Sequence, residues 1–136
     1  MSQQLDAGLR DDGWCFACGP HNPHGLHLTD FRFENDQYIC YFTAQRHHQG
    51  WVGLVHGGIV ATLLDEIMTR MLWEQGIDAV TGELTVRYRQ PAATSELLTI
   101  RGWIKRKYGK LIATEACAEL ADGAIVAEAQ AKFIQT

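Results

Sequence analysis

Residues 55–66 read VHGGIVATLLDE, and this stretch combines the start of a helix with a carboxylate on the same helix. Gly57 and Gly58 precede a run of apolar residues with helical spacing. Because glycine has no Cβ, the first backbone N–H groups of such a helix stay open to a ligand oxygen. A helix amino end also polarises a carbonyl group that binds there. The stretch therefore predicts a helix whose first turn holds a carbonyl oxygen.

Asp65 is the carboxylate of this stretch. It follows Gly58 by two helical turns, which brings it back to almost the same helix face after a rise of about 10.5 Å. One carbonyl group cannot contact both residues, because a reacting carbon lies about 3 Å from its attacking group and from the donors on its oxygen. The simplest arrangement takes Gly58 from one subunit and Asp65 from another. The spacing therefore indicates a site built across a dimer interface.

The rest of the chain indicates one helix and an antiparallel sheet. The apolar spacing predicts a helix over residues 58–75, capped by Gly76. Residues 26–33, with an irregularity near Asp30, and residues 38–43 are expected to form two strands before it, joined by a turn at Asn35-Asp36. After the helix the apolar period changes from 3.6 to 2, which predicts four strands and places Thr81 on the polar face of the first. Since helices and strands do not alternate, we expect an α+β fold, with an antiparallel sheet of five to six strands wrapped around one long central helix.

Length and composition restrict the class of protein. The 136 residues predict a single domain over residues 15–136, after a polar lead-in at residues 1–14. The net charge of −4 argues against a nucleic-acid partner, which a basic surface would bind. No signal peptide and no run of the roughly 20 apolar residues that cross a bilayer is present, so we expect a cytoplasmic protein without a membrane partner. The four cysteines are then expected to be free thiols.

His56-Gly57-Gly58 followed by Asp65 resembles the hotdog-fold thioesterases, in particular the branch related to phenylacetyl-CoA and medium- to long-chain acyl-CoA thioesterases. The resemblance runs from about Cys15 to the C-terminus. It implies that the glycine amides hold the thioester oxygen while the acidic residue of the opposite protomer attacks the carbonyl or activates a water. The implied protein is an acyl-CoA thioesterase that forms a homodimer or a homotetramer. Coenzyme A enters as part of the substrate, and no cofactor or metal is implied.

The resemblance also implies roles for residues outside the helix. Thr81 matches the position where related thioesterases carry a serine or threonine that positions the nucleophilic water. A basic turn of those relatives contacts the phosphates of coenzyme A, although such a turn is equally typical of a solvated hairpin tip. The corresponding CoA-binding candidates here are Arg87, Arg89, Lys105, Arg106, Lys107 and Lys110.

The sequence also leads to expectations for His56 and Glu66, two further residues of the helix region. His56 immediately precedes the glycines, so its imidazole is placed to orient the carbonyl or a nearby loop, although a lone histidine is as often a packing residue. Glu66 falls about 100° around the helix from Asp65 and is expected to be solvated or salt-bridged.

Several alternatives stay open. A non-catalytic acyl-CoA-binding or regulatory domain would share the fold, and a hotdog dehydratase would use a histidine and an acid in an arrangement that the Gly57-Gly58 helix start fits less well. Four potential metal ligands recur every three residues: Cys15, Cys18, His21 and His24. Their uniform spacing differs from the two separated ligand pairs of common zinc sites, so it favours a turn-rich segment without a metal.

Overall fold

The computed structural model describes residues 8–136, in which six strands surround one long helix. β1 (Arg32–Glu34) and β2 (Gln37–Thr43) come before helix α1 (Gly57–Glu74), and a short 3-10 turn lies between β2 and α1. The remaining strands are β3 (Ala79–Tyr88), β4 (Leu97–Tyr108), β5 (Leu111–Glu119) and β6 (Ile125–Gln135). The sheet has the order β1-β2-β4-β5-β6-β3 with antiparallel neighbours throughout. The predicted α+β hotdog architecture is confirmed.

Helix α1 packs its apolar face on the inner face of the sheet. The contact is close because small residues lie beneath the helix; a Cβ on Gly102 would come within 3.2 Å of Ile67. Gly76 ends the helix with a positive φ of 76°, and the Ile77 N–H bonds back to the Leu72 carbonyl, as in a glycine cap. Within the part of the chain that the structure describes, no helix is long and apolar enough to cross a membrane.

The first predicted strand is much shorter than expected. Residues 26–33 were expected to form a strand with an irregularity near Asp30; the irregularity is present, but β1 contains only Arg32–Glu34. His27 and Asp30 adopt left-handed backbone conformations with φ of 55° and 60°, which interrupt an extended chain. Leu26 and Leu28 instead donate their N–H groups to the carbonyls of residues 16 and 17, so the prediction was wrong for residues 26–31.

The segment before β1 is held by backbone hydrogen bonds rather than by regular elements. The Gly19 N–H binds the Cys15 carbonyl at 2.8 Å, and the side chains of Ala17 and Leu28 are buried in the core. The segment from Cys15 onward therefore packs with the sheet and helix. The boundary between the lead-in and the domain stays a prediction, because residues 1–7 of that lead-in lie outside the described residues.

Strand β3 carries an irregularity that changes which way one predicted site residue faces. Its pairing with β6 shifts between Thr81 and Glu83, so Gly82 is an extra residue, a β-bulge. Thr81 pairs with the buried Phe133 and faces the helix, whereas Val80 is 45% exposed on the other face. The prediction that Thr81 lies on the polar face was wrong, because an alternating pattern does not reveal a bulge.

Candidate active site

Asp65 lies on α1, half-buried, beside β3. The Thr81 hydroxyl donates a hydrogen bond of 2.8 Å to its Oδ1 atom. Burial raises the pKa of Asp65 above its ordinary value of 3.8, and the hydrogen bond from Thr81 partly opposes that rise. A carboxylate that is harder to ionise than usual is also a stronger base, which suits attack on a carbonyl carbon or removal of a proton from water. The structure thus brings together two of the predicted catalytic residues.

The amino end of α1 is exposed at His56, Gly57 and Gly58. His56 is the N-cap residue, and its Nδ1 accepts a hydrogen bond of 2.8 Å from the Gly58 N–H. Within the described residues the Gly57 N–H has no hydrogen-bond acceptor. Of the two glycine amides that the sequence offers, Gly57 is therefore the one free to bind a ligand oxygen, and His56 orders the turn that presents it.

A tyrosine that the sequence did not single out anchors this end of the helix. The Tyr88 hydroxyl donates a hydrogen bond of 2.6 Å to the Gly57 carbonyl. A Cβ on Gly57 would lie 3.6 Å from the Tyr88 ring, in ordinary contact. Tyr88 ends β3, where its position fitted the alternating pattern of a strand and gave no further signal. The hydrogen bond fixes the amino end of α1 to the last residue of β3.

Asp65 and Gly57 do not meet within one chain. Asp65 lies beside Thr81 near the start of β3, whereas Gly57 lies beside Tyr88 at its end. The helical rise from Gly57 to Asp65 is about 12 Å. A single small carbonyl group therefore cannot contact both in one protomer, which agrees with the geometric argument from the sequence.

The six basic candidates fall into two groups. Arg87 lies on the outer face of β3, and Arg89, just after the end of that strand, pairs with Glu128 at 3.2 Å. The other four lie at the β4–β5 hairpin, where Lys105 pairs with Glu115 at 3.6 Å and Arg106 binds the Tyr108 hydroxyl at 2.8 Å. The remaining two, Lys107 and Lys110, are exposed, and no ion pair joins them to another part of residues 8–136.

Glu66 departs from its expected environment. It is only 8% exposed, and no cation in residues 8–136 forms an ion pair with it. Its nearest polar neighbours include the Cys15 thiol, whose Sγ lies 3.9 Å from Oε1. The prediction of a solvated or salt-bridged side chain was wrong, because the loop at residues 13–19 covers this face of α1. The side chains of Cys15, Cys18, His21 and His24 do not form one cluster. Among the described residues, the two cysteines lie next to Glu66 and not next to the two histidines.

Comparison with known proteins finds relatives of this chain among the thioesterases. The mouse acyl-coenzyme A thioesterase 13 (Mus musculus) is 34% identical over 80 residues, which are 57% of this chain and 56% of that protein. Its human counterpart (Homo sapiens) is 34% identical over 77 residues, 55% of this chain and 54% of that protein. The chain thus spans about half the length of these relatives.

Solved structures show the same fold. A thioesterase superfamily protein superposes with a TM-score of 0.83 at 24% identity, over 98% of this chain and 76% of that one. A hypothetical thioesterase from Streptococcus pneumoniae, solved with coenzyme A, superposes with a TM-score of 0.74 at 20% identity, over 79% of this chain and 84% of that one. The family model of the Thioesterase superfamily matches residues 52–127, which include α1 and its HGG start. Since this match covers more than half of the sequence, the chain belongs to the thioesterase superfamily.

Proposed function

We propose that the protein is an acyl-CoA thioesterase, which hydrolyses an acyl-CoA thioester to the free acid and coenzyme A. The observation that carries the proposal is the half-buried Asp65 carboxylate. It accepts a hydrogen bond of 2.8 Å from the Thr81 hydroxyl, and burial raises its pKa. The similarity to acyl-coenzyme A thioesterase 13 and the Streptococcus pneumoniae structure with coenzyme A support this substrate class.

Thioester hydrolysis needs an attacking oxygen, a polarised carbonyl and a leaving thiolate. The Gly57 N–H at the start of α1 would stabilise the negative charge that develops on the carbonyl oxygen. Asp65 either attacks the carbonyl carbon, giving an anhydride that water cleaves, or removes a proton from the attacking water. Both routes break the same C–S bond and release a thiolate, which is stable enough to leave with little help from a general acid. Thr81 holds the carboxylate in one orientation for either route.

The edge of the sheet supports a composite site. β3 is one of the two edge strands of the sheet, and its free edge of ten residues exposes backbone groups that pair readily with another chain. When two copies pair antiparallel about a two-fold axis at Thr85, with the bulged Gly82 left unpaired, Thr81 of one lies opposite Tyr88 of the other. Because Tyr88 holds Gly57 and Thr81 holds Asp65, this pairing places the free amide of one protomer beside the carboxylate of its partner. We therefore infer a homodimer, alone or as half of a homotetramer.

The loop before α1 agrees with such a partner. Trp51 and Val52 are 84% and 92% exposed, more than large apolar side chains commonly are on a monomer. Both lie five or six residues before Gly57, near the end of the helix that the two-fold pairing would cover. Their burial against a second copy would add apolar contact area to the strand pairing.

The same pairing would bring the two basic groups together around coenzyme A. Lys107 lies in register with Thr81 through Ile112 and Phe133, about 14 Å away at the usual strand spacing. The two-fold axis moves Arg87 of the partner to the end of β3 that carries Thr81. Cations from both protomers would then flank one site, where they would attract the phosphates of coenzyme A.

A thiol-release assay tests the proposal. Aromatic, short-, medium- and long-chain acyl-CoAs are each incubated with the protein and a thiol-trapping dye, and coenzyme A binding is measured by calorimetry. Asp65→Asn should lower kcat at least about 10²- to 10³-fold, as loss of a stabilising or attacking group does. Asp36→Asn is the matched control, since Asp36 is an exposed carboxylate in the β1–β2 turn. If no acyl-CoA is cleaved while wild type and Asp65→Asn bind coenzyme A equally, the protein is the non-catalytic acyl-CoA-binding alternative.

A further inference from the structure

A second group of reactive side chains lies away from Asp65, where the loop at residues 13–19 meets α1. It consists of Cys15, Cys18 and Glu66, whose sulfur and carboxylate oxygen atoms all lie within 4.8 Å of one another. We propose that these three residues bind one zinc ion, which fastens the segment before β1 to the central helix.

The distances between the ligand atoms of Cys15 and Glu66 are close to those around a tetrahedral zinc ion. The Cys15 Sγ lies 3.9 Å from Oε1 and 4.0 Å from Oε2 of Glu66. Zinc bond lengths to sulfur and carboxylate oxygen place two such ligands about 3.6 Å apart at a tetrahedral angle. A contraction of a few tenths of an ångström would therefore bring Cys15 and Glu66 to this separation, and the Cys18 sulfur lies within 4.8 Å of both.

The backbone of the loop fixes both cysteines on the same side. The two are separated by two residues, which is the spacing of many zinc ligand pairs. The Gly19 N–H closes the turn onto the Cys15 carbonyl at 2.8 Å. A Cβ on Gly19 would lie 2.4 Å from the Cys15 nitrogen, so only glycine permits this tight turn. The thiols are thus held together before a metal binds, which lowers the entropic cost of binding.

The charges around Glu66 favour a cation. Its side chain is 8% exposed and has no ion-pair partner in residues 8–136. The Cys15 thiol lies 3.9 and 4.0 Å from the two carboxylate oxygens, and a thiol is a weak hydrogen-bond donor for a buried carboxylate. Zinc with two thiolates and one carboxylate carries a net charge of −1. The Arg70 Nη1 lies 3.6 Å from the Cys18 Sγ, so its charge neutralises the complex and its N–H supports a ligand sulfur.

A fourth zinc ligand has room in the adjoining cleft. The cleft has a volume of about 380 Å³ and is lined by both cysteines, Glu66, Asp11 and Trp73. Water from the cleft completes the tetrahedron, and the two thiol protons pass to solvent when the metal binds. Two sulfur ligands select zinc over magnesium and calcium, which prefer oxygen.

A reversible disulfide is the competing use of two neighbouring cysteines. A disulfide would use only the two sulfur atoms and would leave the buried Glu66 carboxylate without a cation, whereas one zinc ion binds all three groups. The observations therefore favour a metal site over a redox switch.

Metal content and cobalt spectroscopy test the proposal on the intact protein. Protein purified with zinc and then dialysed should retain one zinc per chain by mass spectrometry. Cobalt(II) titrated into the metal-stripped protein should saturate at one equivalent, with a thiolate-to-cobalt charge-transfer band in the near ultraviolet and the visible bands of a tetrahedral ion. Zinc should raise the thermal unfolding midpoint, and a chelator should lower it.

Variants identify the ligands. Cys15→Ser, Cys18→Ser and Glu66→Gln should each weaken zinc binding at least about 100-fold in a chelator competition. Cys117→Ser, which changes a half-buried thiol on β5, should leave the affinity unchanged. His21→Ala should also have no effect. The proposal is overturned if wild type shows no charge-transfer band, if the His21 variant loses the metal while Glu66→Gln keeps it, or if mild peroxide yields a Cys15–Cys18 disulfide in protein that binds no zinc. Hydrolysis by Asp65 is measured separately, so either result leaves the proposed thioesterase activity to be judged by its own assay.

Discussion

Thr81 donates its hydroxyl to the Asp65 carboxylate at 2.8 Å, and it does so from a strand that forms one edge of the sheet. The hydrogen bond joins the helix to this edge strand at the place where we propose that catalysis occurs. It also favours the charged form of Asp65 and so opposes the effect of burial on the pKa. Both consequences are measurable.

Replacement of Thr81 by valine should reduce kcat about tenfold and move the acid limb of the pH–rate profile to higher pH. The reason is that valine keeps the shape but removes the hydrogen bond that lowers the pKa of Asp65. Thr81→Ser, which retains the hydroxyl, should restore most of the rate and the original limb. An unchanged limb in Thr81→Val would mean that the hydroxyl does not act on the catalytic carboxylate.

Asp65→Asn should unfold at a higher temperature than wild type at pH 7. The folded-state pKa of Asp65 is raised, so the folded protein binds more protons than the unfolded chain, and Asp65 costs stability as the pH rises through that raised pKa. Asparagine carries no such cost. The difference in unfolding midpoint should therefore shrink as the pH falls towards 3.8, the ordinary value. A difference that is constant with pH would point to packing rather than ionisation.

Tyr88→Phe should lower the free energy of unfolding by about 0.5–1.5 kcal/mol, the net worth of one hydrogen bond. It should also lower kcat, because the Gly57 carbonyl loses the donor that fixes the amino end of α1. Tyr41→Phe is the matched control, since Tyr41 is a similarly exposed tyrosine on β2 whose hydroxyl bonds to Arg32. Equal effects of the two variants on kcat would contradict a role for the Gly57 anchor.

Mixed dimers test whether the site spans two protomers. Asp65→Asn and Gly57→Val should each be inactive alone, whereas their co-expression should recover about a quarter of the wild-type activity. Half of the dimers are then mixed, and each of these contains one site with an intact Gly57 and an intact Asp65. A site confined to one chain predicts no recovery at all, and gel filtration of each variant checks that dimers persist.

The double variant Lys107→Gln with Lys110→Gln should raise the KM for acyl-CoA roughly tenfold and leave kcat nearly unchanged, because phosphate contacts bind substrate and transition state equally. Added salt should raise the wild-type KM more than that of the variant, since it screens exposed charges. Lys132→Gln, on the outer face of β6, provides the control. A KM that does not change would place coenzyme A elsewhere.

The elements with strong local signals were predicted well. The apolar spacing in residues 58–75 located α1 to within one residue at each end, because a helix packed on a sheet must repeat its buried face every three to four positions. The turn at Asn35-Asp36 was also correct, since few residue types adopt the left-handed conformation found at Asn35.

The errors came from long-range contacts that a local pattern does not contain. The bulge at Gly82 decides which face of the sheet the Thr81 side chain lies on. The sequence alone does not show whether a glycine within a strand is paired or bulged. The burial of Glu66 depends on a loop about 50 positions earlier in the chain. The capping of Gly58 by His56 was within reach of the sequence, because an N-cap side chain commonly accepts from the second or third residue of its helix.

The extra residue in β3 makes an irregularity of the strand a condition for the proposed activity. A chain without Gly82 would keep a smoother ribbon and a complete ladder to β6, yet its Thr81 hydroxyl would turn toward solvent and away from the acid. A regular β3 without the bulge would therefore lose the hydrogen bond that orients Asp65. In a homodimer closed along β3 the same deletion would remove that bond from both protomers, so a single missing glycine would disable both halves at once.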